Sequence, residues 1–386
     1  MKKRKICLVI TTRGNYAKMK SLIDLAIKDP SIELQLVIGG MVVLEKYGRL
    51  INQINKLNVK VIRQINFVVE GENLLTMSKS AGLAMIEFSL VFNELKPDIV
   101  MVIADRFECL PIAMAASYMN IFLAHIEGGE VSGSIDESIR HSITKLSNLH
   151  FPCSKEAGQR ILKMGEKKDT IFVVGSTSFD VIRSINKNDL VQIRNYQKDY
   201  GIGAQIEIQS KGYITVIQHP VTSEYEDNFK NANKTLEAVV ELNIPTIWIL
   251  PNMDAGSDGV NKALRFFRDK NKNNFIHFYK SLPIEIFAPI LFNSLCIVGN
   301  SSSGIRESEF LGIPSVNIGT RQNGRERGKN VIDVSYNKNE IKKAIKKQIN
   351  MKSYKTQNIY GDGYASVKIL KILKKIKLIT QKTIAY

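Results

Sequence analysis

Cysteine is scarce in this sequence, and what there is does not pair. Cys7, Cys109, Cys153 and Cys296 lie far apart in 386 residues, which excludes a disulfide framework and the close spacing of a thiolate zinc site. The five histidines are scattered without a ligand cluster, so no metal and no cofactor is expected. Apolar runs stop short of the ~18 residues of a bilayer span, and Met1-Lys2-Lys3-Arg4-Lys5 leads into a strand pattern rather than a secretory apolar segment. A cytoplasmic chain with no membrane partner is therefore expected. No repeat of short fixed period occurs, which excludes a solenoid.

Acidic charge is also in deficit: 54 Lys and Arg stand against 37 Asp and Glu, a net +17 that would suit nucleic acid. Its placement argues against that partner. Lysines fill the polar faces of helical patterns, as in the stretch from Ile341 to Ile349, and no aromatics interleave with the basic runs. Nucleic acid is not expected; the surplus favours a small anionic substrate.

What the sequence has is a repeated alternation of apolar strand and amphipathic helix. Strands are expected over Ile6 to Ile10, Leu34 to Ile38, Val59 to Ile62, Ile99 to Ile103, Ile121 to Ala124 and Ile171 to Val174. A second series follows near Tyr213 to Ile217, Thr246 to Leu250, Phe275 to Tyr279, Leu295 to Val298 and Ser315 to Ile318. Two such series imply an α/β chain of two Rossmann-like, doubly wound domains with parallel sheets and a ligand cleft between them. The expected bounds are 1–185, 186–365, and a terminal helix over 366–386 that packs back through Val367, Leu370 and Leu373. The polar stretch from Asn186 to Gly212 reads as linker.

Chemistry concentrates just after strands. His125-Ile126-Glu127-Gly128-Gly129-Glu130, followed by Asp136, Glu137, Arg140 and His141, gathers carboxylates and imidazoles that burial would penalise without a purpose. Thr11 to Lys18 forms a strand-to-helix turn carrying Arg13 and Lys18, suited to an anion. Ala104-Asp105-Arg106 sets a carboxylate beside a guanidinium. His219, in Gln218-His219-Pro220, lies past another strand end. Gly299-Asn300-Ser301-Ser302-Ser303-Gly304-Ile305-Arg306-Glu307 reads as an anion site at a helix start, with Arg306 and Glu307 reaching the rest of a nucleotide, and Arg321 follows a further strand.

The combination HIEGGEVSGSIDESIRHSITKLSNLH, QHPVT, LPNMDAGS, VGNSSSGIRE, NIGTRQNGRERG and IYGDG resembles the hydrolysing UDP-N-acetylglucosamine 2-epimerases of sialic acid biosynthesis. The likeness runs from about Lys5 to about Leu373, includes the epimerase half of the animal bifunctional epimerase/kinase, and implies a glycosyltransferase-B type fold. It also implies conversion of UDP-N-acetylglucosamine and water into N-acetylmannosamine and UDP, by anti elimination to 2-acetamidoglucal and then hydration. By this resemblance Asp105, Glu127 and Asp136 handle protons and the oxocarbenium-like sugar, and His219 acts near the leaving diphosphate or as an acid. Arg13, Lys18, Arg106, Asn252, Ser301, Ser302 and Arg321 hold the substrate, Glu307 holds the ribose, and the chain forms a homodimer or homotetramer. Departures from the family pattern cluster where the resemblance puts the sugar: Asn15 for an acidic residue, Ala104 for glycine, Met41 for histidine. Such changes suit the related enzymes that act on UDP- or GDP-linked N,N'-diacetylbacillosamine for legionaminic acid. Asp258 follows Ser257 where the animal enzyme carries basic residues, so inhibition by CMP-sialic acid is not expected. A non-hydrolysing epimerase and a glycosyltransferase are the alternatives on the same scaffold.

Overall fold

The computed structural model describes residues 3–44, 54, 61–71, 73–251, 254–270 and 275–385. The chain forms two compact units. The first contains six strands, β1 (Arg4–Ile10), β2 (Ile32–Gly39), β3 (Val61–Ile65), β4 (Ile99–Ile103), β5 (Phe122–Ile126) and β6 (Leu149–Phe151). They form a parallel sheet in the order β3-β2-β1-β4-β5-β6. Its helices include α1 (Arg13–Lys28), α2 (Leu74–Leu95), α3 (Cys109–Tyr118), α4 (Asp136–Leu146), α5 (Lys155–Lys163) and α6 (Thr177–Ser184). Alternation along the strands fills both faces of the sheet. Ile6, Leu8 and Ile10 of β1 join the core under α1, whereas Cys7 and Val9 join the core under α2 and α3.

The second unit carries β7 (Ile202–Gly203), β8 (Ile214–Ile217), β9 (Thr246–Ile249), β10 (Ile276–Tyr279), β11 (Ile297–Gly299), β12 (Ser315–Ile318) and β13 (Val331–Val334). Their order is β13-β12-β11-β8-β9-β10-β7, parallel except for the antiparallel edge strand β7. The helices are α7 (Leu190–Tyr200), α8 (Asn228–Leu242), α9 (Ser257–Lys270), α10 (Ile284–Asn293), α11 (Glu307–Leu311) and α12 (Lys338–Met351). On α12, Ile341, Ala344, Ile345 and Gln348 turn inward and the lysines outward. The last helix, α13 (Ala365–Lys375), returns to the first unit, where it packs on α1. Asp180 caps it by accepting from the N–H groups of Ala365 and Ser366, at 2.8 and 2.6 Å.

Several expectations need correction. The units divide at 183/184 and 359/360 instead of 185/186 and 365/366, and Ser132–Ser134 belong to the second unit. The buried stripe of α13 is Ala365, Ile369 and Leu373, and Val367 faces out. The supposed linker is α7 and β7, secured by Ile193 in the core and by Tyr196 against Tyr279. Ile171 forms only an isolated bridge to His150, because Pro152 ends β6 after three residues. Residues 59 and 60 of the expected third strand lie outside the described residues, and β3 begins at Val61. Finally, α2 is long and apolar enough to cross a membrane by length and composition. In the fold it packs on the sheet through Ala84, Phe88, Val91 and Phe92.

Candidate functional site

Each sheet reverses its direction of winding once, and the carboxyl ends flanking such a switch point are where ligands bind in open α/β sheets. In the first unit the reversal falls between β1 and β4. After β1, Thr12 caps α1 by accepting the Asn15 N–H at 3.1 Å. This starts the helix at Arg13 and sets Lys18 one turn and a half further along it. The buried Asn15 donates its amide to Thr11 Oγ1 at 3.2 Å and lies 4.0 Å from Cys109 Sγ. Burial pushes the Cys109 thiol up to about 12, so it is no nucleophile.

After β4 and β5 the backbone makes the same turn twice. Ala104 has φ +64° and Glu127 has φ +66°, in the left-handed region that costs a residue with a side chain roughly 1–2 kcal/mol. Strain of this kind is tolerated where surrounding bonds fix it. Ala104 N–H bonds to Ile126 O at 2.9 Å and Glu127 N–H to Phe151 O at 3.0 Å. His125 completes the support. Its Nε2 lies 2.9 Å from the Ala104 carbonyl, which can only accept, so Nε2 carries the proton, and Nδ1 takes the Thr144 hydroxyl at 3.3 Å. Burial lowers its pKa to about 4, leaving a neutral ring. His125 thus braces the turn and takes no part in proton exchange, contrary to the reading of every ionisable group in that stretch as chemistry. Gly129, at φ +78°, is required because a Cβ would strike the Ala157 carbonyl.

These turns aim two carboxylates, and each meets a base. Glu127, 2% exposed, pairs with Lys18 Nζ at 2.6 Å. Asp105 Oδ2 accepts from Nε of Arg140 at 3.0 Å and also from its Nη2. Arg140 is 1% exposed. Burial works against its charge, but Asp105 and Glu130 outweigh that and hold the guanidinium charged. Its Nη1 donates to Glu130 O at 2.8 Å and Glu137 Oε2 at 2.9 Å, and Glu137 meets His141 at 2.8 Å. Asp136 sits in the first turn of α4, where the helix dipole favours a negative charge. Arg106 serves the buried Glu108 at 3.2 Å.

In the second unit the reversal falls between β8 and β11. His219 follows β8, and Asn300 follows β11. Asn300 Oδ1 accepts the His219 N–H at 2.7 Å, and its Nδ2 donates to the His219 carbonyl at 2.8 Å. Gly299, at φ +125°, lets the strands meet there, since a Cβ would collide with the Ile217 carbonyl. After β12, Arg321 and Gln322 donate to the Asn300 carbonyl at 3.2 and 2.9 Å. Thr320 donates to Glu224. Burial pushes the Tyr336 phenol, which meets Asn300 and Glu224, above its usual range.

The structure thus gathers Arg13, Lys18, Asp105, Arg106, Glu127 and Asp136 around contiguous strands β1, β4 and β5, and His219, Ser301, Ser302 and Arg321 around β8, β11 and β12. Asn252 lies outside the described residues. Around Ser301 the expected helix start is a short 3-10 turn, and α11 begins only at Glu307. The N–H groups of Gly304, Ile305 and Arg306 bond back to Ser301 and Ser302, and Ser303 N–H bonds to Ser301 Oγ. A phosphate there would meet hydroxyls and guanidinium more than helix N–H groups. Arg306 is 2% exposed and belongs to the interior. Sequence reasoning gives no individual role to Arg140 or Asn300 and misses Glu224 and Tyr336. Their partners lie far off in the chain, and no local spacing marks them.

The profile of the family described as UDP-N-acetylglucosamine 2-epimerase matches residues 26–374. The UDP-N,N'-diacetylbacillosamine 2-epimerase (hydrolyzing) of Legionella pneumophila is 33% identical over 378 residues, covering 98% of this chain and 97% of the relative. The UDP-N-acetylglucosamine 2-epimerase of Neisseria meningitidis serogroup B is 32% identical, covering 93% and 91%. The crystal structure of UDP-GlcNAc 2-epimerase from Neisseria meningitidis bound to UDP-GlcNAc superposes with a TM-score of 0.79 at 19% identity, over 96% of this chain and 100% of that one. This last likeness carries the fold.

Proposed function

Because the chain belongs to the UDP-N-acetylglucosamine 2-epimerase family, we propose that it is a hydrolysing 2-epimerase, converting UDP-N-acetylglucosamine and water into N-acetylmannosamine and UDP. The observation that carries this reading is the pair of strained turns after β4 and β5, each aiming a carboxylate against a buried or half-buried base. Elimination of UDP needs a base for the C2 proton, a standing negative charge near the cationic sugar, and cations for the departing diphosphate. Asp105, gripped by two nitrogens of Arg140, suits the standing charge. That leaves removal of the C2 proton, and delivery of a proton to C2 as water adds at C1, to Glu127 and Asp136. In the second unit Ser301, Ser302, Arg321 and His219 supply donors for the phosphates, with Glu307 toward the ribose; within the first unit Arg13 and Lys18 are the cations available to an anionic substrate. The product would feed sialic acid synthesis.

A second reading places UDP- or GDP-linked N,N'-diacetylbacillosamine in the same chemistry. It is favoured by Asn15, whose buried amide is tied to Thr11 beside the β1/β4 switch point, and by Met41 in the buried turn after β2. One changed contact in a sugar pocket suffices for discrimination of 10-fold or more, on the order seen when a polar partner is lost.

The test is incubation in D2O with UDP-N-acetylglucosamine and, separately, with the UDP- and GDP-linked bacillosamine sugars, followed by NMR. Free UDP with a 2-epimeric sugar deuterated at C2 is expected. A sugar that stays on UDP would mean the non-hydrolysing reaction, and turnover of a bacillosamine substrate alone would establish the second reading. No turnover of any of the three would overturn both.

A further inference from the structure

Residues 376–385 carry no helix or strand, yet they are tied to the first unit along their length. Arg4 Nη1 donates to Ile376 O at 3.1 Å, the Asn148 amide donates to Ile379 O and Thr380 O at 3.2 and 2.8 Å, and the Ala385 N–H bonds to Gly165 O at 2.8 Å. An irregular segment stays ordered only where such bonds offset its backbone entropy, about 1–2 kcal/mol per residue. Lys382 makes the strongest of these ties. Each proton of its ammonium has an acceptor: Lys145 O and Ser147 O, both at 2.7 Å, and Glu166 Oε2 at 2.6 Å. The two carbonyls stand at the C-terminal end of α4, where a helix leaves its last carbonyls without N–H partners and its dipole favours a cation. Glu166, 3% exposed, also accepts from Lys145 Nζ at 2.6 Å and from His150 Nε2 at 3.2 Å. Burial opposes its charge, but the bonds from His150, Lys145 and Lys382 outweigh that and hold the carboxyl at about 2.

Both elements joined at Glu166 support the site. Helix α4 carries Asp136 in its first turn and Arg140, the partner of Asp105, one turn and a half before Lys145. Strand β6 sets His150 beside Phe151, whose carbonyl holds the strained turn of Glu127. We propose that residues 376–385 are a strap that sets α4 and β6 for catalysis, and that Lys382 is its positioning residue, acting through α4 on Arg140 and Asp105 without touching substrate. The inference rests on the epimerase reaction proposed above. Without the Lys382 ammonium the last turn of α4 loses two of its donations and Glu166 loses one of its cations, so the helix frays from that end. Arg140 then no longer holds a single position against Asp105. Misplacing a catalytic group by about 1 Å can cost on the order of 100-fold in rate.

The test is Lys382→Met in the full chain, with Lys377→Met, at an exposed position of the same segment, as the control for lost charge. Lys382→Met lowers kcat about 10-fold, while KM for the nucleotide sugar and the affinity for UDP stay within about twofold and the calorimetric stoichiometry of UDP is that of the wild type. Amide hydrogen exchange over residues 141–148 quickens about 10-fold or more, and exchange in α2 does not change. Lys377→Met matches the wild type in both. With an active wild type, an unchanged kcat in Lys382→Met would overturn the strap alone. So would unchanged exchange over residues 141–148, or a loss of kcat shared by Lys377→Met. Exchange that quickens throughout the first unit would make Lys382 merely structural and overturn it too. A wild type inactive on every nucleotide sugar would instead overturn the reaction, and the positioning role of Lys382 with it.

Discussion

Arg140 and Asp105 face each other across two strand ends, the guanidinium Nε 3.0 Å from the carboxylate Oδ2 with Nη2 on the same oxygen. Asp105 leaves β4, while Arg140 rises from α4, beyond β5. The pair therefore fixes the loop after one strand to the helix after the next. Lysine cannot reproduce that two-nitrogen grip or the further bonds to Glu130 and Glu137. Arg140→Lys is expected to lower kcat about 100-fold, with KM for the nucleotide sugar changed far less. With one hydrogen bond lost and the positive charge held less closely, Asp105 gains proton affinity, so the acid limb of the kcat profile moves to higher pH. Arg140→Met removes this buried cation from Asp105 and Glu137 and costs about 3–5 kcal/mol of stability. UDP release measured from about pH 4 to about pH 9, across the ordinary carboxylate and histidine values, checks Arg140→Lys, and urea denaturation checks Arg140→Met. An Arg140→Lys enzyme with wild-type kcat and an unmoved acid limb would remove Asp105 positioning from the mechanism.

Glu127 tests the division of labour between the units. Its turn is held by the backbone bond from its N–H to Phe151 O, which survives exchange of the carboxylate for an amide. Glu127→Gln is expected to lower turnover by about 10²–10⁴-fold, the usual worth of a general acid or base. UDP binding, assigned mainly to residues of the second unit, should stay within about threefold by calorimetry. Loss of UDP binding along with turnover would make Glu127 a structural residue.

His125 gives the fold a pH dependence that can be read apart from activity. Its pKa is lowered to about 4 by burial, against 6.5 for the free side chain. The unfolded chain therefore binds the extra proton first. The stability tied to the neutral ring is complete above about pH 6.5 and drains away as pH falls toward about 4, up to about 3 kcal/mol. His150 and His277 shift in the same direction and add to the slope. Urea midpoints should fall from pH 7 to pH 5 in the wild type and fall less in His125→Asn, although that variant starts lower at pH 7. Equal slopes in the two proteins would show that His125 does not titrate on unfolding.

Much of this fold was legible because buried parallel strands are written as unbroken apolar runs. Ile99 to Ile103 and Ser315 to Ile318 are strands at the expected bounds. Elements whose stability comes from neighbours were not legible. Strand β7 has two residues and exists by pairing with His277 and Phe278, and α7 hides a single buried stripe in a polar stretch. The site divides in the same way. Asp105 and Glu127 follow strands and could be picked out by position. Arg140 and Asn300 act on groups 35 and 81 residues away, and only the folded chain brings them there. Ala104 is a middle case: the resemblance implies glycine at that place, and φ +64° supplies a reason.

That reason can be tested in both directions on backbone geometry alone. Ala104→Gly relieves left-handed strain of roughly 1–2 kcal/mol but frees the unfolded chain. A net gain of about 0.5 kcal/mol in chemical denaturation is expected. Gly299 is the reverse case, since its φ of +125° is a conformation that L residues rarely adopt and its Cβ has no space against Ile217 O. Gly299→Ala should cost about 3 kcal/mol or more. It would also pull Asn300 from the His219 backbone that it holds at 2.7 and 2.8 Å. UDP affinity should fall about 10-fold or more even where the variant remains folded, because the strand ends that carry Ser301 and His219 no longer meet. A Gly299→Ala protein that unfolds like the wild type and binds UDP as tightly would mean that the β8/β11 junction does not organise the nucleotide side of the site.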